Sequence, residues 1–196
     1  MLRRILALAG VILLGLVIGA ASGVIAISPA SMGSTDFSGW KTSTMIGSPA
    51  ADPYTRAIVA RTGLLALTRQ ETVYFTRATD EKGRPLTDKC IYRLDGGSLP
   101  TRWWSVTLYA ADNYLAVNGD NAHSFDATRA GQSGEGRWSV VVGRANADKG
   151  PWISTRNSGR FTLTLRLYNP EASVLQNPAS LSFPTIRTLS CGGVGA

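Results

Sequence analysis

From Glu71 onward, the chain consists of short runs in which apolar and polar residues alternate. Seven such runs, rich in β-branched and aromatic residues, are VYFTRAT, CIYRL, WWSVTLY, NYLAV, RWSVVVG, FTLTLRLY and FPTIRTL. Turn-forming segments separate them, including residues 95–97 and 118–121. Because no helical segment lies between the runs, the pattern predicts a mainly β, antiparallel β-sandwich or jelly-roll-like domain rather than a parallel α/β sheet.

The N-terminal segment Ile5–Ile27 carries no charged residue over 23 positions. A helix of this length is about 34 Å long, enough to cross a hydrocarbon core of roughly 30 Å. Arg3 and Arg4 precede the segment, and no Lys or Arg follows it before Lys41. This asymmetry predicts that residues 1–4 are cytoplasmic and that the rest of the chain is exported.

A cleaved signal peptide is the alternative for the same segment. Small residues near positions 19–21 and 28–30 would permit cleavage, but the apolar region of a signal peptide is usually only about 7–15 residues long. The length therefore favours an uncleaved transmembrane anchor over residues 5–27, with the lipid bilayer as its partner. We expect a single pass through a bacterial inner membrane and a periplasmic C-terminal domain.

Two segments connect the anchor to the alternating runs. Residues 28–52 are rich in Ser, Thr, Gly and Pro and lack periodicity, which predicts a flexible linker. Asp52 followed by Pro53 is typical of a helix start, and apolar residues then recur at helical spacing. We expect one amphipathic helix from Pro53 to about Thr68, and a folded domain over residues 53–196.

Export also bears on the two cysteines, Cys90 and Cys191, which both lie outside the apolar segment. Exported proteins meet an oxidising environment in which disulfides persist. With only two cysteines there is no competing connectivity, so we expect a Cys90–Cys191 disulfide. Two unpaired buried thiols are the alternative.

The charge distribution bears on possible partners. The formal net charge is +7, from 20 Lys and Arg against 13 Asp and Glu, and Arg3 and Arg4 account for two of these charges. The other basic residues are scattered without a block of like charge, so the sequence predicts no nucleic-acid partner. A mildly basic domain near a membrane surface suits anionic glycans or lipid head groups.

The alternation in two of the runs divides each into an apolar and a polar-aromatic face. In WWSVTLY, Trp104, Val106 and Leu108 point to one side, and in FTLTLRLY the corresponding apolar residues are Phe161 and the leucines that follow it. We expect these two sets to build the core. The opposite faces combine large aromatic residues with hydroxyls and one arginine.

If the two strands are neighbours, their second faces form one surface. Its members would be Trp103, Ser105, Tyr109, Arg166 and Tyr168. Aromatic planes that can stack on sugar rings, beside a fork-shaped guanidinium donor, suit the binding of glycans or anions. An ordinary solvated sheet face is the alternative.

The chain offers little for catalysis. His123 is the only histidine and lies in NGDNAHSF beside Asp120, Ser124 and Asp126, which makes it a candidate for a ligand-binding site. The carboxylates are scattered singly, and there is no nucleophile elbow or phosphate-binding glycine loop. With one His and two paired cysteines, we expect no metal site and no cofactor.

Four segments in order carry a resemblance to a family: YFTRATDEKGRPLTDKCIYRL, LPTRWWSVTLY, NYLAVNGDNAHSF and PWISTRNSGRFTLTLRLYNP. The Trp-Ser-x-Thr-x-Tyr and Leu-Arg-x-Tyr-x-Pro pieces are specific in combination. The chain resembles the bacterial domain of unknown function 1214 over roughly residues 54–189. The matching positions are Tyr74, Asp80, Gly83, Leu86, Tyr92, Pro100, Trp104, Ser105, Thr107, Tyr109, Asn118, Asn121, Trp152, Phe161, Leu165, Arg166, Tyr168 and Pro170.

The resemblance implies a jelly-roll-like β-sandwich and no established catalytic activity. Together with the anchor, it favours a non-enzymatic envelope protein that acts as a binding or structural module for a glycan or a partner protein. A periplasmic hydrolase or lyase acting on glycans, with a carboxylate pair or His123 in catalysis, is the alternative.

Overall fold

The computed structural model of the protein describes residues 2–27, 33–43, 45–61, 67–131, 136–146 and 149–192. The helices are α1 Leu2–Ala26, α2 Pro53–Arg61, α3 Ala127–Ala130 and α4 Ala172–Gln176, with a 3₁₀ turn at Pro178–Ser180. The strands are β1 Thr35–Phe37, β2 Trp40–Thr42, β3 Thr72–Arg77, β4 Cys90–Gly96, β5 Thr101–Ala110, β6 Ser124–Asp126, β7 Trp138–Gly143, β8 Trp152–Ser154, β9 Phe161–Pro170 and β10 Thr185–Cys191.

The strands form two sheets, which confirms the prediction of a mainly β fold. One sheet has six strands in the order β1-β2-β3-β9-β5-β6, and the other has four in the order β10-β4-β7-β8. Pairing is antiparallel except between β7 and β8, which run parallel. The fold is not built mainly from hairpins of consecutive strands, since β3 pairs with the much later β9.

The inner faces of the two sheets enclose a single apolar core. Trp104, Val106 and Leu108 belong to it, as the alternation in β5 predicts, and so do Phe161, Leu163, Leu165 and Leu167 of β9. Across the core, the Trp104 ring stacks on Trp138 of β7 with 4.5 Å between centroids. Each fully buried apolar side chain contributes about 1.5–3 kcal/mol, so this core is the main source of stability.

Helix α1 is long and apolar enough to cross a membrane. The stretch Arg3–Ala26 spans 24 residues with a mean hydropathy of 2.6, and none of it is buried against the rest of the protein. A signal sequence would meet the same criteria of length and composition. The helix is therefore consistent with the expected anchor.

The structure differs from the expected flexible linker over residues 28–52. Strands β1 and β2 lie within this range, and Trp40 is fully buried in the core, where its indole nitrogen donates a hydrogen bond to the Pro184 carbonyl at 2.9 Å. Arg77, at the end of β3, donates to the carbonyl of Ser38 in the β1–β2 turn. The sandwich therefore begins about 18 residues earlier than position 53, since β1 starts at Thr35.

Two further expectations differ from the structure. The NYLAV run is not a strand. The chain turns here: the Asn113 amide donates to the Ala110 carbonyl, and the Ala110 amide donates to the Tyr114 carbonyl. Helix α2 begins at Pro53 as expected, with Asp52 accepting hydrogen bonds from the amides of the first turn. It is helical to Arg61, residues 62–66 of the predicted helix lie outside the described residues, and residues 67–68 are not helical.

The expected disulfide is present. Cys90 and Cys191 are directly opposite residues at the ends of β4 and β10, and their sulfurs are bonded. The bond closes a loop with a sequence separation of 101 residues, which corresponds to about 4–5 kcal/mol in the chain-entropy treatment. It fixes β10, an edge strand of the smaller sheet, to its neighbour β4.

Asp80 organises the turn that follows β3. Its buried carboxylate accepts hydrogen bonds from the Lys82 and Arg84 amides, forms an ion pair with the Arg84 guanidinium at 2.8 Å, and accepts the Thr188 hydroxyl of β10 at 2.7 Å. Burial alone would raise the pKa of Asp80, but the hydrogen bonds from Thr188, Arg84 and Lys82 outweigh it and lower the pKa from 3.8 to about 2.

We predict that Asp80→Asn lowers the free energy of unfolding by roughly 3 kcal/mol at pH 7, because the charge and one acceptor are lost from a buried network. The depressed pKa contributes about 2 kcal/mol of this, present above the ordinary carboxyl pKa and lost as the pH falls from about 4 towards 2. Chemical denaturation of the full chain in non-ionic detergent, followed by tryptophan fluorescence, measures both. Asp88→Asn is the control, and a stability difference between the wild type and the Asp80→Asn variant that stays constant from pH 7 to 2 would contradict the prediction.

Candidate functional site

The predicted binding residues lie together on the outer face of the six-stranded sheet. Strands β5 and β9 are neighbours, and their register sets Trp103 opposite Tyr168 and Ser105 opposite Arg166. Tyr109 lies two residues beyond Thr107 in β5 and therefore points to the same face. We call the set Trp103, Ser105, Tyr109, Arg166 and Tyr168, with Tyr74 added below, the outer-face cluster.

Arg166 is held between two tyrosine rings at the centre of the cluster. Its guanidinium carbon lies 5.2 Å from the ring centroid of Tyr109 and 5.8 Å from that of Tyr74. One guanidinium nitrogen donates a hydrogen bond to the Tyr109 hydroxyl at 2.6 Å. Such cation–π contacts fix the orientation of the guanidinium without neutralising its charge.

No carboxylate forms an ion pair with Arg166 within the part of the chain that the structure describes. The nearest acidic position in the ladder is Asp126 of β6, which lies opposite Ser105. That carboxylate caps α3 and forms an ion pair with Arg129 at 2.8 Å. The charge of Arg166 is therefore left available for an anion.

Trp103 and Tyr168 form the exposed end of the cluster. Their ring centroids are 5.2 Å apart with a tilt of 55°. The Trp103 indole nitrogen donates to the Thr128 hydroxyl at 3.1 Å, and the side chain remains 37% exposed. The hydrogen bond holds the indole in place, while part of its surface stays open to solvent.

Ser105 has a different place from the one expected for a ligand-binding residue. It is only 7% exposed, and its partner in the ladder is the longer Arg166. Thr164, next along the same face, is likewise buried and shares a hydrogen bond with Thr76 at 3.2 Å. These two hydroxyl residues are therefore less accessible to a ligand than Trp103.

Tyr74 is a member of the cluster that the alternation in β5 and β9 did not reveal. It lies opposite Arg166 on β3, and it is buried, although it is not part of the main core. The run VYFTRAT does alternate, with Val73 and Phe75 in the core. Alternation does not reveal which strands are neighbours, and only a long-range pairing brings a residue of β3 next to β9.

Burial is the largest influence on Tyr74 and raises its pKa above the ordinary 10.0. A hydrogen bond from the Leu67 amide and the charge of Arg166 act in the opposite direction and offset part of the shift. The hydroxyl therefore keeps its proton at pH values at which an exposed tyrosine loses it.

His123 lies apart from the cluster. Its carbonyl accepts a hydrogen bond from the Leu108 amide, which extends the β5–β6 pairing by one residue beyond Ser124. Alternation then assigns His123 to the side of the core residue Phe125, away from Arg166. Its ring nitrogen Nδ1 is buried without a partner among the described residues.

The residues around His123 do not form a catalytic triad. Asp120 accepts the Ser154 hydroxyl at 2.6 Å and lies 3.4 Å from Arg156, while Ser124 accepts a hydrogen bond from Arg129. Within the described ranges, no group of three His, Cys, Asp or Glu side chains is placed to hold a metal ion. The acidic residues here serve turns, caps and ion pairs.

Comparison with known proteins shows the family of the chain. The family described as "Protein of unknown function (DUF1214)" matches residues 71–172, slightly more than half of the sequence. The chain belongs to this family. The matched region runs from just before β3 to the start of α4, so it contains every member of the outer-face cluster.

Solved structures similar to this chain are longer than it is. The VPA0106 protein of Vibrio parahaemolyticus is similar over 72% of this chain and 36% of its own length, with 21% identity and a TM-score of 0.57. An uncharacterised protein from Burkholderia cenocepacia has 14% identity and a TM-score of 0.43, over 60% of this chain and 29% of its own. No curated protein matches the chain. The chain thus spans about a third of the length of the structures it resembles.

Several DUF1214 positions have structural roles here. The Tyr92 hydroxyl accepts the Thr87 amide at 2.9 Å, and the Trp152 indole donates to the Gly143 carbonyl at 2.8 Å. Asn118 donates to the Arg156 carbonyl and so joins two loops. Arg166 and Tyr109 are different, because their polar groups contact each other and leave donors unused on the sheet surface.

We predict that Tyr74→Phe removes the tyrosinate absorbance that develops at the highest pH in the folded chain. Because the folded-state pKa is raised, Tyr74 favours folding at pH values below 10, and this contribution is lost as the pH rises through its folded pKa. Titration at 295 nm of the wild type and the variant measures the effect. In guanidinium chloride the titration curves of the two chains should differ only in the total change in absorbance at 295 nm. An absorbance change at the highest pH that persists in the folded variant would contradict the assignment to Tyr74.

Proposed function

We propose that this DUF1214 protein is a membrane-anchored envelope protein that binds an acidic glycan through the outer-face cluster. The observation that carries the proposal is the guanidinium of Arg166, held between Tyr74 and Tyr109 without a carboxylate partner among the described residues. A carboxylate or phosphate on a sugar would accept hydrogen bonds from its unused N–H groups.

The aromatic end of the cluster supports a sugar ring rather than a simple ion. Trp103 presents part of its indole to solvent and is braced by Tyr168 and Thr128. The C–H face of a pyranose can pack on such a ring, while its acidic substituent reaches Arg166 on the neighbouring strand. Since both groups are fixed before binding, little side-chain entropy would be lost.

The proposed location is the bacterial inner membrane, with residues 1–4 in the cytoplasm and the sandwich in the periplasm. The length and hydropathy of α1, the two arginines before it and the Cys90–Cys191 disulfide support this arrangement. In this position the domain would face envelope glycans directly.

For the topology, we expect protease added to spheroplasts to reach the sandwich, while a short epitope tag at the N-terminus stays protected. Immunoblotting of membrane fractions also shows whether the chain keeps α1. Protection of the sandwich in intact spheroplasts, or recovery of the chain in the soluble fraction without its N-terminus, would refute an anchored periplasmic domain.

For the site, we predict that the full chain in nanodiscs binds uronic-acid or phosphorylated oligosaccharides and not their neutral counterparts. Arg166→Gln should weaken binding roughly 10–100-fold, because hydrogen bonds to charged groups contribute about 1.5–3 kcal/mol. Trp103→Ala should weaken it by about 0.5–1.5 kcal/mol through the lost ring contact. Glycan-array screening followed by calorimetry measures both effects.

Arg160→Gln is the matched control, since Arg160 is exposed and has no ion pair in the described part of the chain. Its affinity should equal that of the wild type. Equal affinity of the Arg166→Gln chain would exclude the outer-face cluster as the site. Mass spectrometry of the recovered oligosaccharides would reveal cleavage if the protein were instead a hydrolase or lyase.

A further inference from the structure

A concave region lies at one end of the sandwich, where strands of the two sheets meet. It has a volume of about 370 Å³ and is lined by the start of β5, the loop before it, α3 and the start of β7. This volume is at the lower end of the range of roughly 300–1,000 Å³ that is usual for ligand pockets. Most of its β5 lining, Arg102 and Trp104, alternates with Trp103 and Ser105 of the outer-face cluster, and Thr101 at the start of the strand also lines it.

Two stacked indoles form the floor of the cavity. Trp104 and Trp138 lie 4.5 Å apart between centroids, and Phe125 packs against both at 5.9 Å. The Trp138 nitrogen donates to the Gly97 carbonyl at 2.9 Å. A side chain at Gly96 would overlap the Trp138 ring, so the glycine is needed for this ring position. The floor is therefore rigid and apolar.

The walls leave space because their residues are small. Ala127, Ala130 and Gly131 line one side, and Gly97 and Gly136 line another. Ser98 and Thr101 supply the only side-chain hydroxyls among the described lining residues. A sugar would leave most of its own hydroxyls without partners in such a site, so the lining favours an aliphatic body.

The rim carries positive charge. Arg102 and Arg137 both line the cavity, both are exposed, and neither has an ion pair or side-chain hydrogen bond with any described residue. No acidic residue is present among the described lining residues. Two guanidinium groups above an apolar floor complement a molecule that is anionic at one end.

We propose that this cavity binds an amphiphilic anion, with a single aliphatic chain against Trp104 and Trp138 and a carboxylate or phosphate at Arg102 and Arg137. The small volume fits one short or medium chain rather than a two-chain lipid. A negatively charged head group is common to fatty acids, which carry a carboxylate, and to phosphorylated single-chain lipids, which carry a phosphate. The relative affinity of the cavity for the two head groups distinguishes these two sources.

The test is ¹⁹F NMR of the full chain in amphipol, labelled with 5-fluorotryptophan at its five tryptophans. Trp103→Phe, Trp40→Phe and Trp152→Phe assign three signals and leave the Trp104 and Trp138 pair. Octanoate and octyl phosphate should shift that pair and leave the Trp103 signal unchanged. The tighter binder identifies the head group, and octanol, which has the same chain without charge, should bind at least about tenfold more weakly.

The double variant Arg102→Ala/Arg137→Ala should weaken octanoate binding by at least tenfold, whereas Arg144→Ala, an exposed control arginine, should not change it. Ala130→Leu should abolish binding by filling the cavity. The proposal is overturned if octanoate leaves the Trp104 and Trp138 signals unmoved, if octanol binds as tightly, or if the double variant keeps the wild-type affinity. An acidic glycan tested on the same sample reports on Trp103, so failure of either site is seen independently.

Discussion

The antiparallel ladder between β5 and β9 is the interaction on which the rest of the structure depends. The two ten-residue strands are paired from Thr101 opposite Pro170 to Ala110 opposite Phe161. Since successive residues point to opposite sides, this one ladder contributes core residues on one face and the outer-face cluster on the other. A slip of one residue would exchange the two faces, so the large apolar residues that fix the register also fix the position of Arg166.

The arginines differ in whether their charge is paired with a carboxylate inside the protein or left able to attract an external anion. Arg84, Arg129, Arg156 and Arg187 each form an ion pair with an aspartate, at 2.8–3.4 Å. Arg166 is instead oriented by tyrosine rings and a neutral hydroxyl. A carboxylate partner would have satisfied the charge internally. The aromatic surroundings restrict the guanidinium while leaving its attraction for an external anion.

Sequence patterns predicted the faces of strands better than the order of strands. Alternation assigned Trp104 to the core and Trp103 to the opposite face, because the side-chain period of a strand is local geometry. The same reasoning could not place Tyr74 beside Arg166, since that contact depends on a pairing between residues far apart in the chain. Trp40 was missed for another reason: its segment is rich in Ser, Thr and Gly, and a three-residue strand has too few positions to show a period.

The NYLAV run and His123 show where a local sequence pattern differs from the fold. NYLAV has strand-like composition, but Tyr114 and Val117 are largely exposed and the chain turns at Asn113, whose φ of 67° breaks an extended strand. His123 has polar neighbours in sequence, but Asp120 accepts the Ser154 hydroxyl, Asp126 caps α3, and Ser124 accepts a hydrogen bond from Arg129. These sequence neighbours of His123 therefore do not form a catalytic cluster with it.

The adjacent tryptophans of β5 belong to the two surfaces for which binding is proposed. Trp103 and Trp104 are covalent neighbours, but the sheet lies between their rings, one braced by Tyr168 and the other stacked on Trp138. A ligand on one side cannot touch the other ring. Energetic coupling between the two surfaces has two routes: the backbone of β5, whose register is held by β9, and α3, whose Thr128 holds Trp103 while Ala127 and Ala130 line the cavity.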